Sequence, residues 1–378
     1  KKLSIYISVF LSSTVFLYAG EKIKDKKLNR FLIVIGLLIP SIIAACRADS
    51  VGTDVLVYGK AFYTQAVSSG SFITYVISKV DSMFSDFGFY FLTYILSRFF
   101  KDYHIGFFVY AILVQVFFYI AFKRCKKQFN TPVWFAMLLI NLFLYNISLN
   151  LMRQCIAVPI AFLAWTYLAD DKIKQYILFT IIAVVFHSSA LITVLILPMY
   201  FLLRAGRNKQ PVVKIMQGIL FCGLVFIILY FGSSLIQLLV ARGIIRQNYL
   251  SYLANGRYST SSAIDIYTVL QYLIYITLGV FTFECLKNRK AEPTFLIMCV
   301  GCILLSKFGT TFNTYVSRVG YNFYPYMALL LANIDNCFAK QSKKIYRIVI
   351  LAVVGYFWYQ AFILRGYNAT VPYYFFWN

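Results

Sequence analysis

Apolar positions in this chain run in long unbroken stretches, such as Phe31 to Cys46 and Tyr346 to Leu364, separated by short polar segments. A helix of about 20 apolar residues covers the hydrocarbon core of a bilayer. In lipid the backbone must satisfy its own hydrogen bonds, so only helices and closed barrels cross. Barrel strands alternate apolar and polar side chains, and these runs do not, so the pattern predicts helices. Read this way, spans fall near 3–19, 31–46, 103–122, 131–149, 153–169, 175–187, 188–203, 213–240, 265–286, 293–306, 319–335 and 346–365, about twelve in all. The stretch 175–203 is read as two short spans meeting at His187. The segment 87–100 is read as an interfacial or re-entrant helix, because its neighbours fix the side on which it starts and finishes. The expected fold is an all-α polytopic membrane protein. With no linker, low-complexity run or repeat, residues 1–378 form one transmembrane domain.

Loop charge sets the orientation. The loops 20–30, 123–130, 204–214 and 340–347 each hold four or five basic residues. Basic loops stay in the cytoplasm, and the shorter loops 170–174 and 284–292 join them. This assignment holds only if 175–203 crosses twice, and it puts both termini outside. The two long external segments are then 47–102 and 241–264, where aromatics mix with Ser, Gly and Asp. Both are expected to lie on the outer surface and line the active site.

Composition agrees with a membrane protein. Apolar residues make up 61% and charged residues 13%, against about a quarter charged in a soluble domain. The net charge of +23 is accounted for by cytoplasmic loops facing anionic lipid, not by nucleic acid. It also favours an anionic substrate. The eight Cys and two His show no ligand spacing apart from Cys299 and Cys302, which fall inside a predicted span. No metal, no cofactor and free core cysteines are therefore expected. P-loop, GxGxxG, HExxH and DxD patterns are missing, and acids within the spans are nearly so, which argues against an ion-coupled transporter.

Candidate chemistry gathers on the outer side. Arg47 leaves the second span ahead of Asp54 and Tyr58. Its guanidinium either snorkels to the interface or grips a phosphate with its planar fork. Asp54 either orients that arginine or takes a proton from a sugar hydroxyl. Arg153, with Gln154, sits at a tight turn between two apolar spans, where an unpaired charge is expensive. His187 lies at the break in 175–203 beside Ser188 and Ser189, and is either a hydrogen-bonded core residue or a proton acceptor or phosphate donor. Arg318 begins an inward helix carrying Tyr321 and Tyr324, where helix-start amides favour anions. Arg246 and Arg257 lie in the external loop, where a cation costs little. Tyr rings can form an interface belt, and they also suit sugars, which offer a CH face and hydroxyls.

Five ordered motifs carry a resemblance: RADSVGTDVLVY (47–58), DFGFYFLTYILSRFF (86–100), LNLMRQCIAVPIAFLAWTYL (149–168), VVFHSSALI (184–192) and SRVGYNFYPY (317–326), with PYYFFW at 372–377. Together they resemble the EpsG family of polysaccharide-synthesis membrane proteins, relatives of the Wzy-type O-antigen and capsule polymerases. The stretch 204–264 has no counterpart. The resemblance implies a GT-C-like glycosyltransferase that moves a glycan from undecaprenyl diphosphate to a lipid-linked repeat unit at the outer leaflet of the bacterial inner (cytoplasmic) membrane. It implies that Arg47, Arg153 and Arg318 bind diphosphate, that Asp54 and Tyr58 belong to the site, and that His187 assists proton transfer or holds the diphosphate. Partners are the lipid-linked donor and acceptor, the bilayer and a chain-length regulator. An O-antigen ligase-like transferase and a flippase or exporter of lipid-linked glycans remain alternatives.

Overall fold

The computed structural model describes residues 4–78, 86–205, 318–339 and 342–377, with isolated helical positions between 213 and 242 and between 266 and 277. The chain begins with α1 (Ser4–Lys22) and α2 (Lys26–Ala45). There follow a π-helical turn (Val55–Lys60), α3 (Ala61–Ser68), α4 (Phe72–Ile77) and α5 (Phe87–Phe99). Then come α6 (Tyr103–Phe129), α7 (Val133–Ser148), α8 (Met152–Leu168) and α9 (Ile173–Phe186). A 3-10 helix (Ser188–Leu195) leads into α10 (Ile196–Ala205). Further on lie α11 (Tyr324–Asn333) and α12 (Ser342–Trp358), the latter continued by a π-helical turn, Tyr359–Leu364. Among the described residues the only extended pairing is an isolated bridge between Arg47 and Phe375.

Among the described residues four helical runs are long and apolar enough to cross a membrane: Ser4–Lys22, Lys26–Ala45, Tyr103–Phe129 and Ser342–Leu364. Shorter apolar helices at Val133–Ser148, Met152–Leu168, Ile173–Phe186 and Ser188–Pro198 pack among them. The expected spans 213–240 and 265–286 are described only at isolated helical positions, and 293–306 lies outside the described residues. Cys46, Cys125 and Cys155 are free as expected, but Cys337 is disulfide-bonded, which corrects that expectation; Cys299 and Cys302 lie outside the described residues.

Side-chain pairing sorts the helix ends into two sets. At one end Glu21 accepts from Lys126 Nζ at 2.5 Å and from the Trp134 N–H at 2.9 Å. Gln128 and Arg124 reach Thr166 and Asp170 there, and Asn333 donates to Thr131 at 2.9 Å. This is the end that carries the basic loops 20–30, 123–130 and 170–174. At the other end the Tyr6 hydroxyl donates to the Thr370 carbonyl at 2.6 Å, and Tyr373 donates to the Ile43 carbonyl at 2.6 Å. Helix α9 ends at His187, and Tyr200 then meets Asp171 back at the basic end. The chain therefore runs up and down across 173–205. Both ends of α5 stay at the far end, with Asp86 on Arg153 and the Phe100 carbonyl on the Tyr63 hydroxyl at 2.9 Å.

One repair in the first hairpin shows how strictly backbone groups are satisfied. Pro40 inside α2 has no N–H, so the carbonyl four residues earlier, at Gly36, loses its helical partner. The Ser13 hydroxyl of α1 donates to that carbonyl at 2.6 Å. Gly36 permits the approach, since a Cβ there would lie 2.8 Å from Leu17 Cγ. Ser13→Ala leaves the carbonyl unpaired where water cannot reach it, at a cost of about 1–3 kcal/mol. Thermal unfolding in detergent is expected to show a lower midpoint for that variant.

Candidate functional site

The turn between α7 and α8 organises the end opposite the basic loops. Successive residues of a helix point about 100° apart, so the first three side chains of α8 reach in three directions. Met152 meets Arg47, whose Nη2 lies 3.4 Å from the sulfur. Arg153 donates through Nη1 to Asp86 at 2.5 Å. Gln154 donates to the carbonyl of Arg318 at 2.6 Å. One helix start thus joins the exit of α2, the start of α5 and the approach to α11. The Arg153 guanidinium also lies 4.7 Å from the Tyr58 ring and 5.7 Å from Phe62, distances at which the ring faces attract the cation.

Just ahead of α8, Asn150 holds the Asp54 loop. Its Oδ1 accepts from the Asp54 N–H at 2.6 Å and the Thr53 hydroxyl at 3.2 Å. Its Nδ2 donates to Asn368 Oδ1 at 3.3 Å. Gly52 turns the loop with φ of +111°, a conformation strained for any side chain, and its N–H donates to the Ala369 carbonyl at 3.1 Å. The Asp54 carboxyl is thereby placed within the fields of Arg318 and Arg153. Burial raises its pKa above the usual carboxylate range, although Arg318, the Thr53 hydroxyl and Arg153 pull the other way.

His187 caps α9 from the same side. Its Nδ1 accepts from the Ser189 N–H at 3.2 Å and lies 2.9 Å from the Ser189 hydroxyl. A neutral ring accepting at Nδ1 carries its proton on Nε2. Asp86, Arg153 and Arg318 are its charged neighbours. Asn322 joins the segment after Arg318 to this corner by donating to the Ser189 carbonyl at 3.4 Å. Arg153, Asp54, His187, Arg318, Gln154 and Tyr58 are therefore brought together. Tyr321 and Tyr324, stacked at 5.9 Å, line a neighbouring cavity.

Arg47 takes a different position from the one expected of a diphosphate ligand. It is 1% exposed. Its Nη1 donates to the Ala44 carbonyl at the end of α2, and its guanidinium covers Phe107 at 4.1 Å. Burial lowers its pKa to about 10, against the support of Tyr145, Tyr373, Tyr6 and Asp49. Enclosed in this way, it fastens α2 to Met152 and lines a cavity of about 10 Å³, too small for a diphosphate. Arg246 and Arg257 lie outside the described residues.

Two residues were not singled out for a role from sequence. Asp86, the ion partner of Arg153, is 8% exposed and adopts φ of +66°. Its signal was an acid opening an apolar stretch in a chain with 13 acids. Asn150 stood in the cluster around Arg153, but its hold on the Asp54 loop is a tertiary contact. Among the described residues no group of three or more His, Cys, Asp or Glu is placed to hold a metal ion.

These features define a helical membrane protein with a charged, half-buried cluster of side chains at the end opposite its basic loops. A model of the EpsG family matches residues 30–375, and the chain belongs to that family, which points to membrane polysaccharide biosynthesis. No curated protein and no solved structure matches the chain.

Asn150→Ala removes the acceptor that holds Thr53 and Asp54. The loss is expected to cost about 1–3 kcal/mol and to speed proteolytic cleavage within 49–54 in detergent-solubilised protein.

Proposed function

We propose that the chain is a polysaccharide polymerase, a metal-independent glycosyltransferase working at the outer leaflet of the bacterial cytoplasmic membrane. Its donor is a glycan on undecaprenyl diphosphate, and its acceptor is a lipid-linked repeat unit. The observation that carries this reading is the gathering of Arg153 and Arg318 around Asp54 and His187 at the end away from the basic loops. A flippase needs a cationic cavity that opens to both faces in turn, and a cluster held at one end favours bond exchange.

In this scheme the diphosphate binds Arg153 and Arg318, and the incoming charge competes with Asp86 for Arg153. An acceptor hydroxyl attacks the anomeric carbon. A new carbon–oxygen bond forms, the bond to the diphosphate breaks, and the diphosphate leaves with its electron pair. Fixed guanidinium groups stabilise the negative charge growing on it. Asp54 takes the acceptor proton, and its raised pKa makes it a better base than an ordinary carboxylate. His187, protonated at Nε2, donates to a diphosphate oxygen. Tyr58 and Gln154 hold the arginines in place, and Arg47 fixes the scaffold. The whole of 1–378 serves as one transmembrane domain, and a chain-length regulator docks from outside it.

Arg153→Ala is expected to lower polymerisation about 10²–10³-fold while leaving membrane insertion normal. Arg153→Lys rescues poorly, because one ammonium cannot reproduce the bidentate fork. Glycan length on a gel is the readout, and chains of ordinary length from either variant contradict the assignment. The reaction requires ionised Asp54, so the rate is expected to fall as pH drops, with a midpoint above the usual value of about 4. Asp54→Asn is expected to lose about 10²–10⁴-fold and this pH dependence with it.

A further inference from the structure

Beside the charged cluster lies a cavity of about 190 Å³. Tyr321, Tyr324, Trp358, Gln271, Arg365 and Asn368 are among its walls. Its walls are tied to the charged cluster at two points. Tyr321 precedes Asn322, which donates to the Ser189 carbonyl beside His187. Asn368 accepts from Asn150, which holds the Asp54 loop. A group seated in the cavity thus lies next to the proposed site of bond exchange.

The walls select the chemistry of that group. Phe143, Tyr324 and Tyr321 form a stacked ladder with centroids 5.5 and 5.9 Å apart. The Trp358 ring is fixed by its N–H donating to Asn146 at 2.9 Å. Rigid aromatic faces suit the CH face of a sugar. Arg365, Gln271 and Asn368 add donors and acceptors on the same surface. A hydrocarbon tail packed over this polar surface strips water from it without adding a hydrogen bond, whereas sugar hydroxyls add hydrogen bonds to it. The volume matches about six waters, the space that one sugar ring with its hydroxyls fills.

We propose that this cavity is a glycan subsite that seats one sugar unit of the lipid-linked chain next to the reacting bond. The ligand class rests on the polymerase reading; the cavity and its walls do not. The subsite aligns the sugar by aromatic stacking and hydroxyl pairing, and it needs no diphosphate to bind.

The test uses the full chain in lipid nanodiscs and an oligosaccharide repeat unit cleaved from its lipid carrier by mild acid. Titration calorimetry is expected to show saturable binding. Tyr321→Ala and Arg365→Gln are expected to weaken it about tenfold. Tyr321→Phe retains the stacking face and most of the binding, which separates a lost subsite from a damaged fold. Arg153→Ala is expected to bind the delipidated oligosaccharide as the wild type does. No binding by the wild type, or binding untouched by both Tyr321→Ala and Arg365→Gln, overturns the proposal. Displacement of the oligosaccharide by undecaprenyl monophosphate overturns it in favour of a prenyl tail. Normal oligosaccharide binding by a wild-type protein that never elongates a lipid-linked unit leaves the subsite standing and removes the polymerase reading.

Discussion

A guanidinium brought to the end of a membrane helix must find a partner, and the end opposite the basic loops is built around how two arginines do so. Arg153 finds Asp86 at 2.5 Å, and Arg47 finds the Ala44 carbonyl and the Phe107 face. Leaving such a charge alone in a low-dielectric setting costs several kcal/mol. The elements that supply partners are therefore held where the arginines need them. The start of α8 is the joint: Met152, Arg153 and Gln154 reach α2, α5 and the Arg318 segment. The resulting cluster is held by contacts within the protein, the preorganisation that the proposed stabilisation of a leaving group calls for.

The two arginines divide the work according to burial. Arg47 is closed off and serves the scaffold, together with the terminal segment that crosses above it. Ala48 donates to the Tyr374 carbonyl at 2.8 Å, and Phe376 donates to the Cys46 carbonyl at 3.0 Å. Arg153 is shared between an acid and two rings and keeps part of its side chain exposed, so an incoming anion can compete for it. The partner of Arg153 is a carboxylate and that of Arg47 a carbonyl, and only the first is displaced at no loss of backbone pairing.

Much of the membrane fold was legible in the hydrophobic runs, because lipid rewards unbroken apolar helices whatever they pack against. Loop charge demanded two passes across 175–203, and the return of Tyr200 to Asp171 shows the chain reversing there. The family likewise was legible in the ordered motifs, as the match over residues 30–375 shows. What sequence left open was direction. An arginine at a helix exit can turn to water or inward, and nothing near Arg47 in the chain says which. The Arg153 partner stands 67 residues away, a distance that local pattern cannot bridge. The role of PYYFFW appeared only when Tyr373 was seen donating to Ile43, 330 residues before it.

The central claim is that arginines at the outer helix ends hold a lipid diphosphate while a sugar bond is exchanged. Purified protein in proteoliposomes, supplied with its lipid-linked repeat unit and no other enzyme, tests it most directly. The account predicts a ladder of lengthened glycans that still carry the lipid diphosphate. Transfer of the repeat unit across the bilayer without any lengthening contradicts it.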